Sequence, residues 1–215
     1  MVLMGSPLVM PLAFALALVT LASPGALDVT LGQQDIERAL AIARSSEADR
    51  ARFHGRYRLP VSDATVAQVE AITEFRRVVI AGEDRLRQGD WMFTQGTRAA
   101  EAAVRAWHGQ VAMVAQLRFN PLNTYVTVPV LDIMLGDPLA DGIVTPLTSH
   151  TTPQYSLPFP VPIPGKKGVT TGSLVGALLE TAFEASAIGQ TTRRVSVLMD
   201  GKELIRTTVD FASIE

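Results

Sequence analysis

The stretch Arg50-Ala51-Arg52-Phe53-His54-Gly55-Arg56-Tyr57-Arg58 puts four arginines, one histidine and two aromatic rings within nine residues. Guanidinium forks match carboxylate and phosphate oxygens, and interleaved rings offer stacking surface. Arg52, His54, Arg56, Tyr57 and Arg58 are therefore the residues expected to hold an anionic ligand. The same pattern fits a helix C-terminus whose arginines complement the helix dipole and pair with Glu47 or Asp49.

The other candidates are weaker. His54, His108 and His150 lie in three separate segments, without HExxH or i,i+4 spacing, so no metal site is expected. Asp132, Asp137 and Asp141 offer oxygen ligands of the kind calcium takes. Their spacing matches no EF-hand, and Asp137-Pro138 and Asp141-Gly142 are turn chemistry. Gly172-Ser173-Leu174-Val175-Gly176 sets its serine one position off a nucleophile elbow. Gly165-Lys166-Lys167-Gly168 lacks the spacing and hydroxyl of a phosphate loop. The acid pairs Asp35/Glu37 and Glu83/Asp84 read as a helix start and a solvated turn. Trp91, Met92 and Phe93 are expected to pack in the core, with a partner-binding aromatic patch as the alternative. There is no cysteine, which excludes disulfides, thiolate metal sites, iron–sulfur clusters and thiol catalysis. No cofactor is expected.

Any site needs a fold to position it. Hydrophobic residues are 47% of the 215, enough for a core, while the net charge is only −2. So even a balance supplies no field for a nucleic acid, and no nucleic-acid partner is expected. Ile36, Leu40, Ala43 and Ala48 form a stripe that predicts one helix from Gln33 to Phe53, ended by Gly55. The β-branched and aromatic residues of Val66–Ala81 predict extended structure, with a short helix as the alternative for its first half. Glu83 to Gln88 reads as a helical turn, and the Ala-rich run up to Trp107 as a helix ended by Gly109.

After Gly109 the period changes. Val111 to Phe119 alternates as a strand, Asn120-Pro121-Leu122-Asn123 supplies a turn, and Thr124–Leu135 is a second strand. Pro129 inside that strand argues for an edge position or a bulge. Leu174–Ala187 suits helix or strand equally. Asp200-Gly201 between Arg193–Met199 and Glu203–Phe211 is a hairpin signal. A two-residue loop would set Val197 opposite Leu204, and a three-residue loop opposite Ile205. Residues 136–168 hold seven of the thirteen prolines and read as a Pro-rich loop. Within it, prolines at every second position over Leu157–Pro164 strip donors from one side of an extended chain. That predicts either an edge strand blocked outward or a semi-rigid linker.

The predicted class is α+β: a mostly helical segment over 28–108 with one or two strands, then an antiparallel β-rich, sheet or sandwich-like segment over 109–215, forming one folded unit. The first charged residue is Asp28, and Leu8–Leu21 is an apolar run followed by small residues at Ala22 and Ala26. This predicts a signal peptide over residues 1–26, and so an exported chain, periplasmic or extracellular, with no transmembrane segment after cleavage. The n-region lacks Lys and Arg, which keeps a retained N-terminal anchor as the alternative. With no catalytic constellation, the expected function is a non-catalytic binding or envelope-associated structural module, its partner another protein or an envelope component. The alternative is an extracytoplasmic, hydrolase-like enzyme, which requires a histidine to meet a Ser, Asp or Glu across the fold.

Overall fold

The computed structural model describes residues 31–214 apart from 121, 122, 124, 126, 138–141, 158, 159, 164, 165, 170 and 171. The architecture is α+β, helices first and antiparallel sheets after.

The helix predicted over 33–53 is two helices, α1 (Gln33–Ala43) and α2 (Glu47–Gly55). Ser46 breaks it: its backbone is extended and its hydroxyl accepts the Asp49 N–H at 3.2 Å, capping α2. Ile36, Leu40 and Ala43 are buried as expected, whereas Ala48 is exposed beyond the break.

The extended reading of Val66–Ala81 holds only for its first half. After β1 (Arg58–Leu59) comes β2 (Val66–Ile72), and then α3 (Glu74–Arg87). Thr73 makes the switch, its side chain accepting the Arg76 N–H. Phe75, Val78, Val79 and Gly82 bury one stripe at i, i+3, i+4, i+7, so burial of a helical face overrides the β-branched composition. The predicted turn at Glu83 to Gln88 is the end of this helix. A short 3₁₀ turn (Trp91–Gln95), α4 (Thr97–Val104) and a second 3₁₀ turn (Arg105–Trp107) complete the helical part.

The β-rich part follows: β3 (Gln110–Arg118), β4 (Leu131–Gly136), β5 (Ile143–Val144), β6 (Pro146–Tyr155), β7 (Pro160–Ile163), β8 (Lys166–Val169), β9 (Leu174–Glu184), the single turn α5 (Ala185–Ile188), β10 (Thr192–Met199) and β11 (Lys202–Asp210). One sheet runs β1-β2-β3-β9-β6, a second β11-β10-β4-β5, and β7-β8 is a separate hairpin. Every pairing is antiparallel. A single buried cluster joins α1 and α3 to both larger sheets. The ambiguous segment 174–187 is a strand to Glu184: its odd positions Ala177, Leu179 and Phe183 are buried against Leu117, Ala115 and Val111 of β3.

One strand prediction is corrected and one is narrowed. The strand expected over Thr124–Leu135 starts at Leu131, after Pro129, and lies inside its sheet between β10 and the two-residue β5. Pro129 has no N–H for a ladder, so pairing begins beyond it. Of the two readings of 157–164, the edge strand holds over Pro160–Ile163, where β7 pairs on one side with β8 in its own two-stranded hairpin; Pro158, Phe159 and Pro164 lie outside the described residues.

The Asp200-Gly201 hairpin combines both predicted registers. Asp200 and Gly201 have φ of 50° and 76°, the left-handed pair that a two-residue type I′ loop requires. Met199 faces Lys202, and a bulge between Val197 and Leu198 then brings Val197 opposite Ile205. Beside this turn, Glu203 titrates below its ordinary 4.5, chiefly because the Ser196 hydroxyl hydrogen-bonds it, with Arg206 adding to this against some desolvation. A lowered folded-state value means that Glu203 stabilises the fold above the unfolded value and loses that contribution as pH falls through the lowered one. Ser196→Ala should move the Glu203 midpoint upward in a carboxyl NMR titration; an unmoved midpoint would assign the effect to Arg206.

Candidate functional site

Helical spacing divides the five residues expected to hold an anion. Arg52 on α2 and Arg56, the residue that caps its C-terminus one turn on, line a shallow cleft of about 410 Å³ against Arg38, Ile42 and Ser45. Arg52 pairs with Asp49 at 3.0 Å and Arg38 with Asp35 at 3.1 Å. Arg56 is exposed and makes no ion pair among the described residues, so the cleft carries one guanidinium in surplus. Arg58 sits apart on β1. Tyr57 is 1% exposed and packs on Phe53, its ring centroid 5.1 Å away, so it serves the core and cannot stack on a ligand.

His54 faces away from the cleft into a charged network. Arg76 Nε donates to His54 Nδ1 at 3.2 Å, and His54 Nε2 meets Glu83 Oε1 at 2.9 Å. A guanidinium N–H can only donate, so Nδ1 is the acceptor and Nε2 carries the hydrogen given to Glu83. The Arg76 side chain is 4% exposed. It also donates to Glu70 at 2.7 Å and to the Ala71 carbonyl, and lies 5.0 Å over the Tyr57 ring. Arg50 approaches Glu83 at 3.7 Å. Both ring nitrogens of His54 are engaged, and the two carboxylates are balanced by two arginines. The arrangement ties α2, β2 and α3 together and leaves His54 no open nitrogen for proton transfer.

His108 also meets a carboxylate. Its Nδ1 lies 3.2 Å from Glu74 Oε1, and Glu74 Oε2 accepts the Gly109 N–H. The Glu74 side chain is 9% exposed and His108 is 55% exposed, so a buried acid orients an imidazole at the surface. His150 lies on β6, opposite Glu180, which itself pairs with Arg77 at 2.8 Å. Among the described residues no group of three or more His, Asp or Glu is placed to hold a metal; Asp141 lies outside them. Ser173 leads straight into a strand, which removes the strand–turn–helix context of a nucleophile elbow. Of the aromatic trio, Phe93 is buried, whereas Trp91 and Met92 are about three-fifths exposed, at 61% and 60%, correcting the expected core packing.

The surface that residue-by-residue reading missed is β6. It is the outer strand of the five-stranded sheet, ten residues long, and eight of its positions are exposed. Phe119 N donates to Val175 O, so the odd positions of β9 bond toward β3 and the even ones toward β6. Thr148, His150 and Thr152, opposite Ala182, Glu180 and Leu178, therefore bond inward, while Ser149, Thr151 and Pro153 present their backbone outward. Pro146, opposite Phe183, is also on the outward set. The outward side thus has donors at Ser149 and Thr151, bounded by prolines. Unlike the alternating prolines of 157–164, those at 146 and 153 leave Ser149 and Thr151 open between them. A search of family models, curated proteins and solved structures finds no match.

The other sheet edges are guarded differently. β1 and β5 are two residues each, and β11 carries Lys202, Glu203, Arg206 and Asp210. Short length and charge are the usual means of keeping an edge from pairing. β6, reading PLTSHTTPQY, has neither. Leu147, Tyr155 and Leu157 along and beyond it are 51%, 58% and 87% exposed, which adds apolar surface at its two ends.

Proposed function

We propose that the protein is an exported, non-catalytic binding module whose partner, a protein, adds a strand to β6. One observation carries this reading: among the described residues, of the four edges of the two larger sheets, β6 alone is long, exposed and without Asp, Glu, Lys or Arg. Strand addition draws its affinity from backbone hydrogen bonds and its selectivity from alternate side chains. The apolar run Leu8–Leu21 before the first charge supports export, and among the described residues no helix is long and apolar enough to cross a membrane.

A second reading, an extracytoplasmic hydrolase-like enzyme, draws support from the Glu74–His108 pair. A buried carboxylate behind an exposed imidazole is the orienting half of a general-base arrangement. The binding reading is favoured because the edge is complete as it stands, whereas the pair would still require a nucleophile and a substrate cleft.

The test is an amide NMR titration with a peptide of alternating threonine and valine, ten residues long like β6. The expected result is that the largest shifts and the strongest slowing of exchange fall on Ser149 and Thr151, with β11 unmoved. In a sample that sediments as a monomer, absence of shifts at millimolar peptide, or shifts confined to other elements, would overturn β6 as the contact surface.

A further inference from the structure

Taking the edge reading above as given, we infer that the strand added to β6 is β6 of a second copy of this chain. The two copies are related by a twofold axis through His150, making one continuous sheet of two five-stranded halves. The outward donors Ser149 and Thr151 straddle His150. A copy turned about that residue sets Ser149 opposite Thr151 of its mate, so each outward N–H meets the other's carbonyl. In this register no proline falls opposite either donor. Moving the axis to Thr151 would place Pro153 opposite Ser149 and leave the Ser149 carbonyl without a donor.

A longer unrelated strand would run past the window bounded by Pro146 and Pro153 and leave its own carbonyls unmet there. A copy of β6 carries a window of the same length. Side chains agree with the backbone. The strand has no Asp, Glu, Lys or Arg, so a self-paired edge sets no carboxylate against carboxylate and no ammonium or guanidinium against its like. Thr148 and Thr152, both exposed, become cross-strand neighbours on the His150 face, a pairing that favours antiparallel sheets. Leu147, half exposed, comes opposite Pro153 of the mate and gains apolar cover at each end of the paired segment. Isologous pairing of one patch with itself closes at two copies, as a twofold interface must.

The absence of cysteine makes the test direct, because an introduced thiol is the only one in the chain. His150 would face its mate as a non-hydrogen-bonded pair, where Cα atoms lie about 4.5 Å apart, within disulfide reach. Under mild oxidation His150→Cys should form a covalent dimer about tenfold or more faster than Lys202→Cys on the opposite sheet, since pairing raises the local thiol concentration. Thr151→Pro removes an outward N–H that β9 does not use. It should turn a sedimenting dimer into a monomer with unchanged circular dichroism. Should that variant fail to fold, the cross-linking comparison decides alone. A wild-type monomer at micromolar concentration, with His150→Cys cross-linking no faster than Lys202→Cys, overturns the second copy. A dimer that survives Thr151→Pro does the same by placing its interface elsewhere. If the threonine–valine peptide still shifts Ser149 and Thr151 in either case, the edge reading stands with a different protein as its occupant; if it does not, both fail.

Discussion

Arg76→Ala should destabilise the protein by about 3–5 kcal/mol, the usual consequence of removing one member of a buried charge network. The side chain is almost wholly enclosed and serves four partners: Glu70, the Ala71 carbonyl, His54 Nδ1 and the Tyr57 ring. Its loss leaves the Glu70 carboxylate without its cation and His54 Nδ1 without its donor. For a chain of this size that corresponds to a fall of roughly 6–20 °C in melting temperature. Denaturant melts of the wild type, Arg76→Ala and Arg76→Lys would measure it. The lysine variant keeps the charge but loses the fork, and should fall between the other two. A loss below about 1 kcal/mol in Arg76→Ala would mean that solvent screens the network as it does a surface pair.

Gly176→Ala should cost about 1–3 kcal/mol, the range for forcing extra atoms into a packed interior. A Cβ at Gly176 would collide with the Leu117 carbonyl oxygen and approach Gln154 Oε1 at 3.0 Å. The first of these is backbone, so no side-chain rotation relieves it. Relief requires β3 and β9 to separate locally, and β9 is the strand that carries β6. Gly55→Ala is the natural control. A Cβ there meets nothing within 4 Å, and the change should stay within about 0.5 kcal/mol. Equal melts for the two variants would show that β3–β9 has slack at Gly176. A Gly176→Ala protein that stays folded should also show altered exchange at Ser149 and Thr151, because the edge is aligned through β9.

The hairpin at Asp200-Gly201 was legible because its cause is local: both turn residues adopt positive φ, and few other pairs do so cheaply. Its register was not, since a bulge between Val197 and Leu198 depends on packing within the sheet. The stretch Val66–Ala81 misled because Val and Ile suit either a strand or the buried stripe of a helix. The deciding residue was the Thr73 cap, a signal present in the sequence and outweighed by composition. Ser46 before Glu47-Ala48-Asp49 was a similar signal for the break between α1 and α2.

The candidate site shows the same division. The density of arginine around His54 was plain in the sequence, and so was the possibility that those arginines pair within the helix, as Arg52 and Asp49 do. That His54 turns inward could not be read locally, because its partners Arg76 and Glu83 lie 22 and 29 residues away. The role of β6 was further from reach. Its residues mark an extended, polar, proline-punctuated chain and say nothing about what lies beside it. By itself the sequence determined the α+β class, the absence of thiol chemistry, the main hairpin and the apolar N-terminal run, because each follows from local conformational preference or composition. Only the tertiary structure decided which strand stands at an open edge and which way its backbone points, because both depend on sheet order and on the register of β9 with β3, contacts made between residues far apart in the chain.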